Sequence, residues 1–104
     1  MKCLLLSLLL ITSVTEYGVA EPINSLQQSA DNGDEKAMFI LGEQYADGYG
    51  GVDKDENKAL YWYRKLAEKG SPWGQHALGE CYKEGKGVSQ DFALAAQWYR
   101  KAAD

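Results

Sequence analysis

Apolar residues recur along most of this chain with the spacing of amphipathic helices, not with the alternation of strands. In one segment they stand at i, i+3, i+4, i+7 and i+8, at Ala59, Trp62, Tyr63, Leu66 and Ala67. The same spacing returns further along, at Ala95, Trp98, Tyr99, Ala102 and Ala103. Each of these segments is preceded by another apolar stripe, with Ala37, Ile40, Leu41, Gln44 and Tyr45 before the first and Gly74, Ala77, Leu78, Cys81 and Tyr82 before the second. The pattern predicts two pairs of helices and no strand.

The predicted helices are bounded by residues that favour helix ends. Side chains able to accept hydrogen bonds from the first backbone N–H groups precede three of them, at Asp55, Ser71 and Asp91. Pro72 would occupy a first helical position, where its missing N–H donor is not needed. Gly48 and Gly85 stand where a left-handed residue would end the first helix of each pair.

The glycines Gly42 and Gly79 recur at the same place inside predicted helices instead of at their ends. Gly42 and Gly79 occupy equivalent positions in the two first helices, where glycine is less favourable than alanine by about 1 kcal/mol. Their recurrence predicts that another helix approaches closely at this point, with a Trp or Tyr ring lying over the glycine.

The two helix pairs are copies of one sequence unit, which indicates a repeat architecture. Residues 33–51 can be laid over 70–88, and, after one extra residue in the first loop, 52–68 can be laid over 88–104. A partial copy of the unit precedes the two full copies: residues 26–33 align with 63–70 and share Ala30/Ala67 and a closing glycine. This partial copy predicts that half a unit covers one end of the stack as a lid.

The repeated strings AMFILGEQYADGYGGVDKDENKALYWYRKLAEKG and HALGECYKEGKGVSQDFALAAQWYRKAAD resemble the Sel-1-like repeat, a relative of the tetratricopeptide repeat. The shared features are an LG pair and a Tyr in the first helix, a G-x-G-V loop, an Asp, and an A-x-x-WYRKAA run. The resemblance implies an all-α fold, an α-solenoid that forms a right-handed superhelix of antiparallel helix-turn-helix repeats. It also implies an adaptor or scaffold that binds other proteins, and many bacterial relatives are exported.

The beginning of the chain has the features of a secretory signal. Met1-Lys2 gives a positive start, residues 4–14 are mainly apolar, and Gly18 and Ala20 place small residues before a cut ahead of Glu21. The apolar run is too short to span a bilayer. We therefore expect a signal peptide over 1–20, a lid helix over 21–32, repeats over 33–69 and 70–104, and a periplasmic or secreted protein that is not inserted in a membrane after cleavage.

Charge and residue chemistry favour a binding protein over an enzyme. The net charge is −4 and no basic block is present, which argues against nucleic-acid binding. Of the two cysteines, Cys3 lies in the predicted signal peptide and Cys81 lies on an apolar stripe, so the cleaved chain has one His and one Cys, which cannot supply a zinc site. We expect no catalytic residue, metal or cofactor. The alternative is a β-lactam-binding or β-lactam-hydrolysing enzyme like the disulfide-rich relatives, whose cysteine pairs this chain lacks, and a third hypothesis is a truncated or degenerate product.

Two surfaces are candidates for a protein or peptide partner. Solenoids commonly bind through the inner surface formed by their first helices, and six residues of those helices point away from the predicted core: Lys36, Phe39, Glu43, Trp73, His76 and Glu80. For Phe39 and Trp73, packing against a neighbouring helix is an equally good interpretation. The second candidate is the last helix, apolar on nearly every side, which predicts a contact, such as a homodimer, through Phe92, Leu94 and Ala96.

Overall fold

The computed structural model describes residues 21–104, with side chains from Ser25 onward, so the predicted signal peptide lies outside the described residues. This part of the chain is helical and contains no strand. Its helices are α1 (Glu21–Asp31), α2 (Glu35–Asp47), α3 (Glu56–Glu68), α4 (Pro72–Glu84) and α5 (Phe92–Ala103).

Each helix packs mainly against the next one in the chain. The contacts follow the order α1 to α2, α2 to α3, α3 to α4 and α4 to α5. A chain whose helices contact their sequence neighbours in this way is a solenoid, in which the buried surface is shared between successive elements. The predicted all-α solenoid, with two helix pairs and a further short helix before them, is confirmed.

The predicted helix ends are confirmed in their geometry. The Asp55 carboxylate accepts hydrogen bonds from the backbone N–H groups of Asn57 and Lys58, at 3.1 Å each. Asp91 and Ser71 cap α5 and α4 in the same way, and Gly48 and Gly85 end α2 and α4 with φ of +72°. One cap was not foreseen: Asp34 accepts from the N–H groups of Lys36 and Ala37 at the start of α2.

The core consists of two adjoining clusters of buried side chains. The first joins α1, α2 and α3 through Ala30, Ala37, Met38, Leu41, Trp62 and Leu66. The second joins α3 to α4 through Ala59, Leu60, Tyr63, Ala67, Leu78 and Cys81. Leu66 is 0% exposed, as expected for a residue on α3, which packs against both α2 and α4.

The predicted stripes need a correction at their edges. Ile40 and Ala77 were expected in the core but are only half-buried, whereas Met38 is buried with 4% of its surface exposed. Met38 is buried because α2 packs against α1 as well as α3. A helix with two neighbours buries a wider face than the single stripe that the spacing identifies.

Gly42 and Gly79 lie where helices approach closely, as their recurrence predicts. The ring of Tyr63 lies over Gly42, and the ring of Tyr99 lies over Gly79. Since Tyr63 and Tyr99 are equivalent residues, both repeats use the same contact between their first and second helices.

None of the helices in the described part of the chain is long and apolar enough to cross a membrane.

Candidate functional site

A cavity of about 370 Å³ opens between α2 and α4, the first helices of the two repeats. Its size falls in the range of about 300–1,000 Å³ that is usual for ligand-binding clefts. Aromatic, acidic and small side chains line it: Phe39, Glu43, Ala46, Asp47, Tyr63, Trp73, His76, Ala77, Glu80 and Lys86.

The repeat itself explains why these side chains converge. Phe39 and Glu43 of α2 are equivalent to His76 and Glu80 of α4, so both repeats contribute the same helix face. Tyr63 belongs to α3, which packs against both α2 and α4. Tyr63 lines the cavity although only 5% of its surface is exposed, so it forms the base of the cavity.

Aromatic rings form one wall of the cavity. The Phe39 centroid lies 6.0 Å from that of Trp73 and 6.2 Å from that of Tyr63, in both cases with a tilt of 46°. Phe39 is half-buried against both core clusters, which supports a packing role for it. Trp73 instead leaves 60% of its surface exposed, so most of its ring is available to a partner.

The charged side chains of the lining are mostly acidic. Tyr63 Oη donates a hydrogen bond to Glu43 Oε2 at 3.3 Å. Burial, together with the neighbouring Glu43 carboxylate, raises the pKa of Tyr63 far above its usual value, so the phenol remains a neutral donor. Asp47 and Glu80 add two more carboxylates.

The lysine of the cavity does not balance this charge, because it already has a partner. Lys86 Nζ lies 3.0 Å from Glu84 Oε1, and this hydrogen bond raises the pKa of Lys86 while it lowers that of Glu84. Within residues 25–104, Glu43, Asp47 and Glu80 take part in no ion pair. The cavity therefore presents a net negative surface.

The structure brings most of the predicted inner-face residues together. Phe39, Glu43, Trp73, His76 and Glu80 all line the cavity, whereas Lys36 is exposed outside it. Sequence reasoning missed Asp47, Tyr63 and Lys86. Asp47 stands four residues after Glu43, a helical spacing that could have revealed it, but Tyr63 had been assigned to the core and Lys86 to a connecting loop.

The residues of the last helix that were predicted to contact a partner differ in their exposure. Phe92 is 65% exposed, Ala96 is exposed, and Leu94 is half-buried. Trp98 of the same helix is half-buried, whereas Trp62, its equivalent on α3, is buried with 5% exposed. The difference arises because α3 has helices on both sides, while α5 packs mainly against α4 among the described helices.

The residues most capable of chemistry do not form a reactive group. Cys81 is buried in the second core cluster, and burial raises its pKa to about 11, which keeps it a neutral thiol. His76 is exposed, with its ring 5.2 Å from that of Tyr99. In the described part of the chain, no group of three or more His, Cys, Asp or Glu side chains could hold a metal ion.

Comparison with known proteins gives relatives with the same repeat. The chain is 40% identical over 82 residues to the chitin synthase regulator SKT5 of Saccharomyces cerevisiae, covering 73% of this chain and 11% of that protein. It is 37% identical over 67 residues to HRD3A of Arabidopsis thaliana, an ERAD-associated E3 ubiquitin-protein ligase component, covering 64% of this chain and 10% of that one. The chain thus spans about a tenth of the length of these relatives.

Two solved structures are similar to most of the chain. One is a Sel1 repeat protein from Oxalobacter formigenes, with a TM-score of 0.78, 37% identity, and coverage of 83% of this chain and 65% of that one. The other is a protective antigen of uropathogenic Escherichia coli with an SLR fold, with a TM-score of 0.76, 37% identity, and coverage of 81% and 18%. The family model described as Sel1 repeat matches residues 35–71 and 74–104. With both helix pairs matched in sequence and in structure, the chain belongs to the Sel1 repeat family.

Proposed function

We propose that this chain is an exported, non-catalytic adaptor that binds a peptide segment of another protein in the cavity between α2 and α4. One observation carries the proposal: equivalent positions of two successive repeats converge on a single cavity that contains the largely exposed ring of Trp73. Large aromatic side chains that are accessible in a concave surface are typical anchors of protein interfaces.

The family relationship supports the same function class. The relatives described above are named as a regulator of an enzyme and as a component of a ligase. Both names describe proteins that act together with another protein. Transferred to this chain, they favour a binding module over an enzyme.

The binding test compares capture of partner proteins by the tagged full chain and by a variant with Trp73→Ala and Glu80→Ala. Both changes remove cavity side chains and leave the core clusters intact. We expect the variant to capture at least about tenfold less of each specific partner, since anchor residues of interfaces contribute about 2 kcal/mol or more.

A matched control is Lys65→Ala with Arg64→Ala, which changes two exposed residues of α3 outside the cavity lining. This control should capture as much as the unmodified chain. Equal capture by the cavity variant and by the control would overturn the assignment of the binding surface. Circular dichroism of all three proteins verifies that they are equally folded.

Export is part of the proposal and is supported by the positive start, the apolar run of 4–14 and the small residues before Glu21. Expression of the full chain in a Gram-negative host should give a product outside the cytoplasm whose mass corresponds to residues 21–104. An uncut chain that remains in the cytoplasm would contradict export.

We further propose that the outer face of α5 is a second contact surface, at which two copies of the chain meet. Its support is the exposed ring of Phe92 and the exposed Ala96, on a helix whose equivalent, α3, packs against α4 as well as α2. Sedimentation of the exported chain at tens of micromolar should show a dimer that Phe92→Ser weakens. A monomer over the whole concentration range would rule this contact out.

A further inference from the structure

We infer that the cavity between α2 and α4 receives the positively charged side chain of a lysine or arginine in the partner's peptide segment. This inference rests on the proposed binding function and adds the chemistry of the ligand. Three features of the cavity carry it: its uncompensated carboxylates, the exposed Trp73 ring, and the fixed position of Glu43.

The net negative charge of the cavity favours a cationic ligand. Glu43 comes from α2, Glu80 from the equivalent position of α4, and Asp47 from one turn beyond Glu43. Among residues 25–104 these carboxylates have no ion-pair partner, and Lys86 is engaged by Glu84. Carboxylates that line one concave surface repel one another, and a cationic side chain between them relieves that repulsion.

The aromatic wall suits the other parts of such a side chain. Lysine and arginine carry an apolar stem and a charged head, and the stem packs favourably on apolar surface. The Trp73 ring is 60% exposed and adjoins Phe39, so the stem has a surface to cover. Tryptophan is also the strongest aromatic partner for a cation, worth about 0.5–2 kcal/mol.

The hydrogen bond from Tyr63 prepares Glu43 for this role. Tyr63 Oη donates to Glu43 Oε2, which holds the carboxylate and leaves its second oxygen to accept from a ligand. Because the base of the cavity is a buried side chain of α3, this arrangement does not depend on a flexible loop. A prepositioned acceptor lowers the ordering cost of binding.

The test uses three acetylated and amidated pentapeptides that differ only at their centre: Gly-Leu-X-Leu-Gly, with X as lysine, norleucine or glutamate. Norleucine keeps the stem of lysine and lacks the ammonium group. Binding to the full chain is measured from the NMR shift of the Trp73 indole N–H, assigned with Trp73→Phe. We expect the lysine peptide to bind about tenfold tighter than the norleucine peptide, and the glutamate peptide to bind weakest.

Charge variants of the protein give the matched comparison. Glu43→Gln and Glu80→Gln should each weaken the lysine peptide by about threefold to tenfold and leave the norleucine peptide unchanged. Glu68→Gln, at an exposed position of α3 outside the cavity lining, should change neither. Raising the salt concentration should weaken only the lysine peptide, because salt screens interactions between charges.

The outcomes separate this inference from the proposed function. If the lysine and norleucine peptides shift the Trp73 resonance and bind equally tightly, the cavity binds peptides but the cationic ligand is wrong. If no peptide shifts the Trp73 resonance, the inference is also wrong, whatever the capture experiment gives. If capture of partner proteins is unaffected by the cavity variant, the proposed function fails at this surface and the inference fails with it.

Discussion

The ring of Tyr63 lies so close to Gly42 that a Cβ atom at position 42 would stand 2.5 Å from Tyr63 Cε1. The contact brings the backbone of α2 against a side chain of α3, and it places the next residue, Glu43, where it can accept the hydrogen bond of the Tyr63 hydroxyl. The second repeat has the same packing contact, because a Cβ at Gly79 would stand 2.9 Å from Tyr99 Cδ1. In the first repeat, one pair of neighbouring residues, Gly42 and Glu43, therefore makes both the packing contact and the hydrogen bond to Tyr63.

This contact reverses the usual effect of a glycine substitution. Helix propensity alone predicts that Gly42→Ala stabilises the protein by about 1 kcal/mol. Because the added methyl group would overlap a buried ring, we expect a net loss of about 1–3 kcal/mol in the free energy of unfolding. Urea denaturation measures it, and Gly79→Ala is the comparison, expected to lose less since Tyr99 is only half-buried. A Gly42→Ala protein more stable than the original would contradict the packing argument.

The three tryptophans should differ in their contributions to stability. Trp62 is buried in the first core cluster, so Trp62→Ala should lower the free energy of unfolding by about 3–5 kcal/mol. Its repeat equivalent Trp98 is half-buried, so Trp98→Ala should lower the free energy of unfolding clearly less. Trp73 is 60% exposed, and Trp73→Ala should stay within about 0.5 kcal/mol. Thermal or urea unfolding of the three variants checks this order, and a large loss at Trp73 would assign that ring to the core.

The cap of α3 offers a test of a single local interaction. Asp55 accepts from the N–H groups of both Asn57 and Lys58, so Asp55→Ala should lower the free energy of unfolding by about 0.5–2 kcal/mol. Asp55→Asn keeps an acceptor oxygen and is the matched control, with an expected change of a few tenths of a kcal/mol. Equal losses in the two variants would mean that the charge at this position, and not the cap, stabilises the helix.

Stability should fall at alkaline pH because of Cys81. Burial raises the pKa of its thiol from 9.0 to about 11, so the unfolded chain releases the proton first as the pH rises. The resulting stabilisation is fully present below pH 9.0 and is lost progressively as the pH rises to about 11, with a slope of at most about 1.4 kcal/mol per pH unit. The buried Tyr63 shifts in the same direction.

The measurement is the free energy of unfolding from pH 8 to about 11, compared with that of Cys81→Ala. The variant lacks the ionisable thiol, so its free energy of unfolding should fall less steeply with pH than that of the original protein. This comparison of slopes does not depend on the absolute stability of the variant. Identical pH dependence in the two proteins would show that Cys81 titrates normally in the folded state.

Much of the fold could be predicted because its determinants are local. The spacing of apolar residues identifies each helix, and Asp55, Ser71 and Asp91 mark helix starts through hydrogen bonds to residues two or three positions away. Gly48 and Gly85 mark ends through their own left-handed backbone. The repeat then fixes which helices are equivalent.

The candidate site could be predicted only in part, because it depends on how far each helix is rotated toward its neighbours. Phe39, Glu43 and Glu80 were identified from their position opposite the apolar stripe, and they do line the cavity. Lys36 satisfies the same criterion but lies outside the lining. Spacing along one helix cannot separate these cases, because the position of α4 relative to α2 decides which α2 side chains line the cavity.

The sequence by itself determined that this protein is a stack of paired helices, where those helices begin and end, and that two glycines mark a close approach. The tertiary structure decided that Tyr63 both packs in the core and forms the base of a cavity, that Asp47 and Lys86 join its lining, and that Lys86 is already paired with Glu84. The physical reason is the distance along the chain over which the determining interactions act. Helix formation and capping act over a few residues, whereas a cavity arises from side chains of separate helices whose relative position only packing establishes.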